Sequence, residues 1–164
     1  MKTARSILKI LFYAEATVAT LLYVMIATLL AGDVFMREVG GSSLMGVQRI
    51  SVYAMIQTGF LGLGLAAAKG QHLRPRFADG LIPDRFEPVV KRIGAFLMAI
   101  IFGYFVVFGM EFVQESIQFG DTARPFKTPL WILQLVVPYA LASTALRYLI
   151  FAIFPDLNPE ERLS

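Results

Sequence analysis

The sequence contains no cysteine and only one histidine, His72. Without cysteine there can be no disulfide, thiolate nucleophile, thiolate metal ligand or CxxC redox pair. A single histidine cannot supply a bis-histidine haem or a multi-histidine zinc site. The sequence also shows no catalytic triad, P-loop or metal-ligand cluster. We therefore predict no catalytic, cofactor-binding or metal-binding residues, and a protein that is not an enzyme.

Charged residues are also scarce, at 16% of the chain, whereas apolar residues make up 57%. Soluble domains are nearer 45–50% apolar. The excess lies in four uncharged blocks of about 17–19 residues, and a helix of about 20 residues crosses a hydrocarbon core of roughly 30 Å. The blocks lack the two-residue period of barrel strands. The blocks are residues 16–32, 50–68, 93–110 and 128–146.

This pattern predicts an all-α integral membrane protein, with residues 1–164 forming a single four-helix domain. The predicted spans are roughly 11–35, 48–68, 92–114 and 128–153. Lys2, Arg5 and Lys9 precede the first block as they would in a signal peptide. However, the apolar run exceeds the usual 7–15 residues and no clear A-x-A cleavage site follows it. We therefore favour a retained first span over a cleaved signal peptide.

The distribution of Lys and Arg predicts the orientation. Eleven of the fifteen lie at the N-terminus, in the loop between the second and third spans, or on the C-terminal side, and four lie on the other side. The positive-inside rule then places both termini and this middle loop in the cytoplasm. The same bias accounts for the net charge of +3, so no nucleic-acid partner is expected.

The middle loop, residues 69–92, has six basic residues and three prolines, so no single long helix runs through it. Apolar residues lie among the basic ones, which suits short helices resting on the inner membrane surface. A plain solvated linker is the alternative. His72, with Arg74 and Arg76 beside it, is a candidate for holding lipid phosphate. Alternatively, His72 is a helix-end residue bonded to backbone carbonyls.

Polar groups within spans are costly and need an explanation. Glu15 would be a proton or cation site, or a carboxylate near the inner interface that is paired with a base or turned to water. Its shallow position favours the second interpretation.

Gln57 would bond to another helix rather than line a substrate path. Arg147 is expected to extend to the headgroups. The second helix has a narrow surface for close helix packing, within this bundle or on another protein, formed by Gly59, Gly62, Gly64 and Ala66–Ala68.

Several loop and helix-end features occur in a recognisable order. Arg37 follows the first span, and Gly62-Leu-Gly-Leu-Ala-Ala-Ala-Lys-Gly-Gln-His72 closes the second. After the third span come Gly-Asp-Thr122 and Lys-Thr-Pro129-Leu-Trp131, then Pro138 within the fourth. Over nearly the whole chain, this order resembles the small membrane subunit (DctQ or SiaQ type) of tripartite ATP-independent periplasmic (TRAP) transporters.

The resemblance implies a multi-pass protein of the bacterial inner membrane. Its partners would be membrane lipids, a large permease subunit that binds sodium and substrate, and a periplasmic substrate-binding protein. Substrates would be organic acids. The small subunit would hold no transport site and would enlarge the fixed scaffold against which the transport domain of the large subunit moves as an elevator.

Seven residues match the family pattern and are candidates for partner or structural contacts: Arg37, Gly62, His72, Thr122, Pro129, Trp131 and Pro138. Pro138 would kink the fourth helix to fit a neighbouring subunit. The chain departs from the family at Gln48 and Arg49, where an acidic residue is frequent. Because of this departure, it stays open whether the chain forms the charge pair that the family would imply next to the second span.

One alternative function is a small, self-sufficient, proton-coupled exporter. Such proteins also have four helices and a carboxylate in the first, a position that Glu15 would fill. The chain is half as long again as such exporters need, its middle loop is bulky, and Glu15 is shallow. We therefore favour the transporter subunit.

Overall fold

The computed structural model describes residues 2–69, 87–123 and 127–157. Among these residues are four helices long and apolar enough to cross a membrane, each with an apolar stretch of mean hydropathy between 1.5 and 2.3. This confirms the prediction of an all-α protein with four transmembrane helices. The helices are α1 (Lys2–Gly40), α2 (Val47–Ala68), α3 (Glu87–Phe119) and a fourth in two parts, α4 (Leu130–Gln134) and α5 (Val136–Ile153).

Helix α1 continues past the predicted first span. It has 39 residues, which makes it about 58 Å long. No proline interrupts it, and it ends where Gly41 adopts a left-handed conformation with φ of 66°. Asp33 therefore lies well inside the helix, and the connection to α2 is only residues 41–46.

Helix α3 also extends beyond its predicted span, to Phe119. It ends at Gly120, whose φ is 65°. The N–H of Gly120 donates to the carbonyl of Ile117, and the N–H of Asp121 donates to that of Ser116. These two bonds form a Schellman motif, in which a left-handed glycine lets the chain turn back over the helix end.

A short antiparallel strand pair follows α3, and sequence analysis did not predict it. Strand β1 (Thr122–Ala123) pairs with β2 (Thr128–Pro129), and Thr122 lies opposite Pro129. The N–H of Leu130 then donates to the carbonyl of Asp121 at 2.9 Å. This hairpin joins α3 directly to the start of α4.

The fourth helix is divided at Leu135, three residues before Pro138, although the backbone of Leu135 stays helical with φ of −56° and ψ of −23°. Proline has no N–H, and its ring crowds the carbonyl four residues earlier, here that of Gln134. Pro138 is buried in the first turn of α5. On α3, a Cβ added to Gly109 would lie 3.3 Å from both Cα and Cβ of Pro138. Pro138 thus packs against α3 of the same chain, and a kink that fits a neighbouring subunit stays a prediction.

The helices pack in a row, in the order α1, α2, α5, α3. Helix α5 is the most enclosed: half of the apolar stretch of the fourth helix is buried, against 11% for α3. Buried side chains form a hydrophobic core near the C-terminal end of α5. There, the rings of Phe102 and Tyr148 stack at a centroid distance of 5.8 Å. The two outer helices, α1 and α3, therefore present most of their apolar side chains outward.

Candidate functional site

A carboxylate is buried between α1, α2 and α5. Glu15 of α1 is 2% exposed. Its Oε1 accepts a short hydrogen bond from the hydroxyl of Ser143, and its Oε2 accepts one from Nη2 of Arg147 at 2.6 Å. Both oxygens are thus engaged, which confirms the interpretation of Glu15 as a carboxylate paired with a basic neighbour.

Arg147 contradicts the sequence analysis. It was expected to extend to the headgroups, yet its side chain is 0% exposed and lies inside the row of helices. The reason is that α5 packs on both α2 and α3, so position 147 has no outward face. Its Nη2 binds Glu15, whereas Nε and Nη1 have no hydrogen-bond partner among the described residues.

Gly64 of α2 makes room for the ion pair. A Cβ built on Gly64 would lie 2.5 Å from Oε2 of Glu15 and 3.1 Å from its Cδ. For this residue, the prediction of close helix packing within the bundle holds. By contrast, Gly62 is half-buried, and no atom lies within 4 Å of a Cβ added there.

We predict that Gly64→Ala destabilises the full-length chain by about 1–3 kcal/mol, because the added methyl group overpacks a rigid, hydrogen-bonded carboxylate. The measurement is thermal unfolding in detergent micelles. Gly62→Ala is the matched control. It adds the same methyl group to open space on the same helix and should be neutral, or stabilising by about 0.5–1 kcal/mol. Equal effects of the two substitutions would contradict the packing role of Gly64.

A cleft of about 280 Å³ lies on the other side of the carboxylate. Gln57, Leu61 and Tyr139 are among the side chains that line it, together with Glu15. Gln57 makes no side-chain hydrogen bond with the described residues. The predicted bond from Gln57 to another helix is therefore wrong for the isolated chain.

A second polar centre lies at the other end of α1. Asp33 is 2% exposed. Its Oδ2 accepts from Nη2 of Arg37 at 2.7 Å, and its Oδ1 accepts from the hydroxyl of Ser43 at 2.8 Å and from the N–H of Leu44 at 2.7 Å. Arg37, a residue of the family pattern, thus contacts its own helix, and Asp33 ties the α1–α2 connection to α1.

Three candidate residues meet at a pocket of about 790 Å³ beside this connection. Gln48 and Arg49, in the first turn of α2, line it together with Thr122 of β1, and Lys127 adds a second cation. Arg49 forms no ion pair with any residue in the three described stretches. Gln48 and Arg49, at which the chain departs from the family pattern, therefore lie next to the hairpin that carries Thr122 and Pro129.

The remaining candidates lie apart. Trp131 is half-buried in α4, and Gly62 lies on the face of α2 away from Glu15. His72, Arg74 and Arg76 fall outside the described residues, as does most of the middle loop with its predicted surface helices. Among the described residues, no group of three or more His, Cys, Asp or Glu side chains is placed to hold a metal ion.

Sequence analysis missed two residues that organise these centres. Asp33 carried a usable signal, since an acidic residue four positions before Arg37 on one helix is a standard ion pair. Ser143 carried none, because a serine in an apolar helix is common and only the fold brings it to Glu15, 128 residues away in the sequence.

These features define a small multi-pass membrane protein with four helices, whose two buried carboxylates, Glu15 and Asp33, are each paired with an arginine. The sequence profile of the DctQ component of tripartite ATP-independent periplasmic transporters matches residues 25–154, and the chain belongs to that family. The chain is 22% identical over 139 residues to the ectoine TRAP transporter small permease protein TeaB of Halomonas elongata, covering 85% of this chain and 72% of that protein.

No solved structure matches the chain significantly. Family membership and the four apolar helices together establish a TRAP transporter small permease subunit in the inner membrane, as predicted. The alternative of a small exporter is not the class to which the sequence belongs.

Proposed function

We propose that this chain is a non-catalytic subunit that enlarges and anchors the scaffold of a large permease. That permease would take up an organic acid, delivered by a periplasmic binding protein, with sodium as the coupling ion. The observation that carries the proposal is the family match over residues 25–154. Both termini and the middle loop would lie in the cytoplasm, as the distribution of Lys and Arg predicts.

The buried ion pair supports a scaffold rather than a transport site. A coupling carboxylate must exchange its partner during each cycle and needs access to both sides of the membrane. Glu15 is enclosed, and its two oxygens are already held by Ser143 and Arg147. Such a pair fixes α1 against α5, which otherwise have only a small contact.

The exposed apolar surface supports association with another membrane protein. Large apolar residues of α3 such as Phe96, Leu97 and Tyr104 are more than half exposed. In a bilayer, lipid tails cover such residues as well as a protein would, so association depends on close packing. Open space beside Gly59 and Gly62 on α2 gives a second helix backbone room to approach.

The substrate would be set by the two partner subunits. The name of the relative TeaB shows that at least one member of the family serves a transporter of ectoine. A screen should therefore include ectoine together with dicarboxylates and sugar acids.

The test is uptake into proteoliposomes that contain the cognate large permease, the soluble binding protein and this chain, under an inward sodium gradient. We expect uptake only when all three components are present, and Glu15→Gln/Arg147→Met in this chain should retain most of it. Uptake by this chain alone, or full uptake without it, would overturn the proposal.

A further inference from the structure

A groove of about 340 Å³ lies between the N-terminal part of α1, the last turn of α2 and the end of α5. Four cationic side chains line it: Arg5, Lys9, Lys69 and Arg147. Among the lining residues that the structure describes, none is a carboxylate. Within residues 2–69, 87–123 and 127–157, the first three cations form no ion pair. The groove therefore concentrates positive charge that the described part of the chain leaves uncompensated.

Arg147 gives the groove its deepest polar group. Its guanidinium is fully buried, and one nitrogen, Nη2, binds Glu15. Nε and Nη1 have no partner among the described residues. The buried guanidinium thus adds positive charge behind the groove wall, although its N–H groups have no surface that a ligand in the groove could contact.

The rest of the wall is apolar. Phe12 and Tyr13 of α1 and Phe151 of α5 line the groove, with Leu157 just beyond α5. A small soluble anion would gain no binding energy from an apolar wall. An amphiphile fits both parts of the groove, because its charged group meets the cations while its chain lies along the aromatic and aliphatic side chains.

We propose that this groove binds an anionic phospholipid, whose phosphate contacts the exposed cations Arg5, Lys9 and Lys69. The distribution of Lys and Arg places this end of the helices at the inner leaflet, where anionic headgroups attract such clusters. The lipid would bridge α1, α2 and α5 at their inner ends. The proposal concerns this chain alone and does not depend on its role in transport.

The experiment uses the full-length chain purified in detergent, with dioleoyl phosphatidylglycerol as the probe and dioleoyl phosphatidylcholine as the neutral comparison. Native mass spectrometry counts bound lipid, and a titration followed by thermal unfolding gives the affinity. We expect one phosphatidylglycerol to bind and to raise the unfolding temperature more than phosphatidylcholine does.

Two matched variants locate the site. Lys9→Gln/Lys69→Gln removes two exposed cations from the groove and should weaken phosphatidylglycerol binding about 25-fold, since each such cation contributes roughly a fivefold gain. Arg49→Gln/Lys127→Gln removes two exposed cations from the opposite end and should leave the affinity unchanged. Equal losses in both variants, or no loss in either, would overturn the proposal.

Three outcomes would point to other occupants of the groove. Displacement of the lipid by excess inorganic phosphate would assign the groove to a soluble anion, and equal binding of phosphatidylcholine would make it a neutral apolar groove. Lipid binding that appears only in Glu160→Gln/Glu161→Gln would assign the groove to the acidic C-terminal residues of the chain itself. Each of these three results contradicts the phospholipid site.

Discussion

Arg147→Met, with Glu15 left in place, is expected to lower the free energy of unfolding by about 3–5 kcal/mol. The substitution removes the cation that holds Oε2 of Glu15 and leaves a buried carboxylate with only the Ser143 hydroxyl as partner. Breaking one side of a buried ion pair carries this cost because the remaining charge is uncompensated. The measurement is reversible unfolding of the full-length chain in mixed micelles.

The double variant Glu15→Gln/Arg147→Met provides the control. It removes both charges while keeping similar side-chain volumes, so it should recover most of the stability lost in the single variant. Ser143→Ala, which deletes one hydrogen bond to the carboxylate, should cost only about 1–3 kcal/mol. If the double variant is no more stable than Arg147→Met alone, the pair is not the cause of the loss.

Gly62→Arg should abolish assembly with the large permease while leaving the chain itself folded. Nothing lies within 4 Å of an added Cβ at Gly62, so the arginine meets no obstacle within the subunit. At a helix–helix contact with a partner, a charged side chain would keep the two backbones apart and bury an unpaired charge. Co-purification with a tagged permease should fall by about tenfold or more.

Two controls accompany this variant. Gly62→Ala should retain assembly, because a methyl group allows nearly the same approach. Gly103→Arg, at an exposed position of α3 that also has open space around it, measures how far an arginine within a span reduces membrane insertion in general. Normal yield of the complex from Gly62→Arg, combined with weaker substrate binding, would contradict the role proposed for this face.

Hydropathy alone predicted the four helices because each apolar block is long enough to cross a bilayer and has no competing pattern. Hydropathy could not predict which face of each helix packs against the other helices of the chain. The blocks are apolar all round, so they carry little of the 3.6-residue period that marks a buried stripe in soluble helices. Arg147 illustrates the consequence. Its position near a helix end predicted a side chain that reaches the headgroups, whereas the packing of α5 between α2 and α3 buries that side chain.

The candidate residues divide in the same way. The partner of Glu15 was predicted in kind, as a basic neighbour, but not in identity, because 132 residues separate Glu15 from Arg147. Pro138 was predicted to kink the helix, since that effect is local, whereas its contact with Gly109 depends on tertiary packing. Thr122 and Pro129 were known only as matches in a family pattern, and only the structure shows that they pair across the hairpin.

The order of the helices in the row also has a consequence for synthesis. Helix α3 is made before α4 and α5, yet it packs mainly against them and has little contact with α2. As the chain leaves the ribosome, α1 and α2 can therefore pair at once, whereas α3 must wait in the bilayer without its neighbour. The α5 segment then has to enter between α2 and α3, carrying Arg147 to a Glu15 that was inserted first. Insertion of this subunit is thus expected to finish late, with the ion pair forming only after the last helix has arrived.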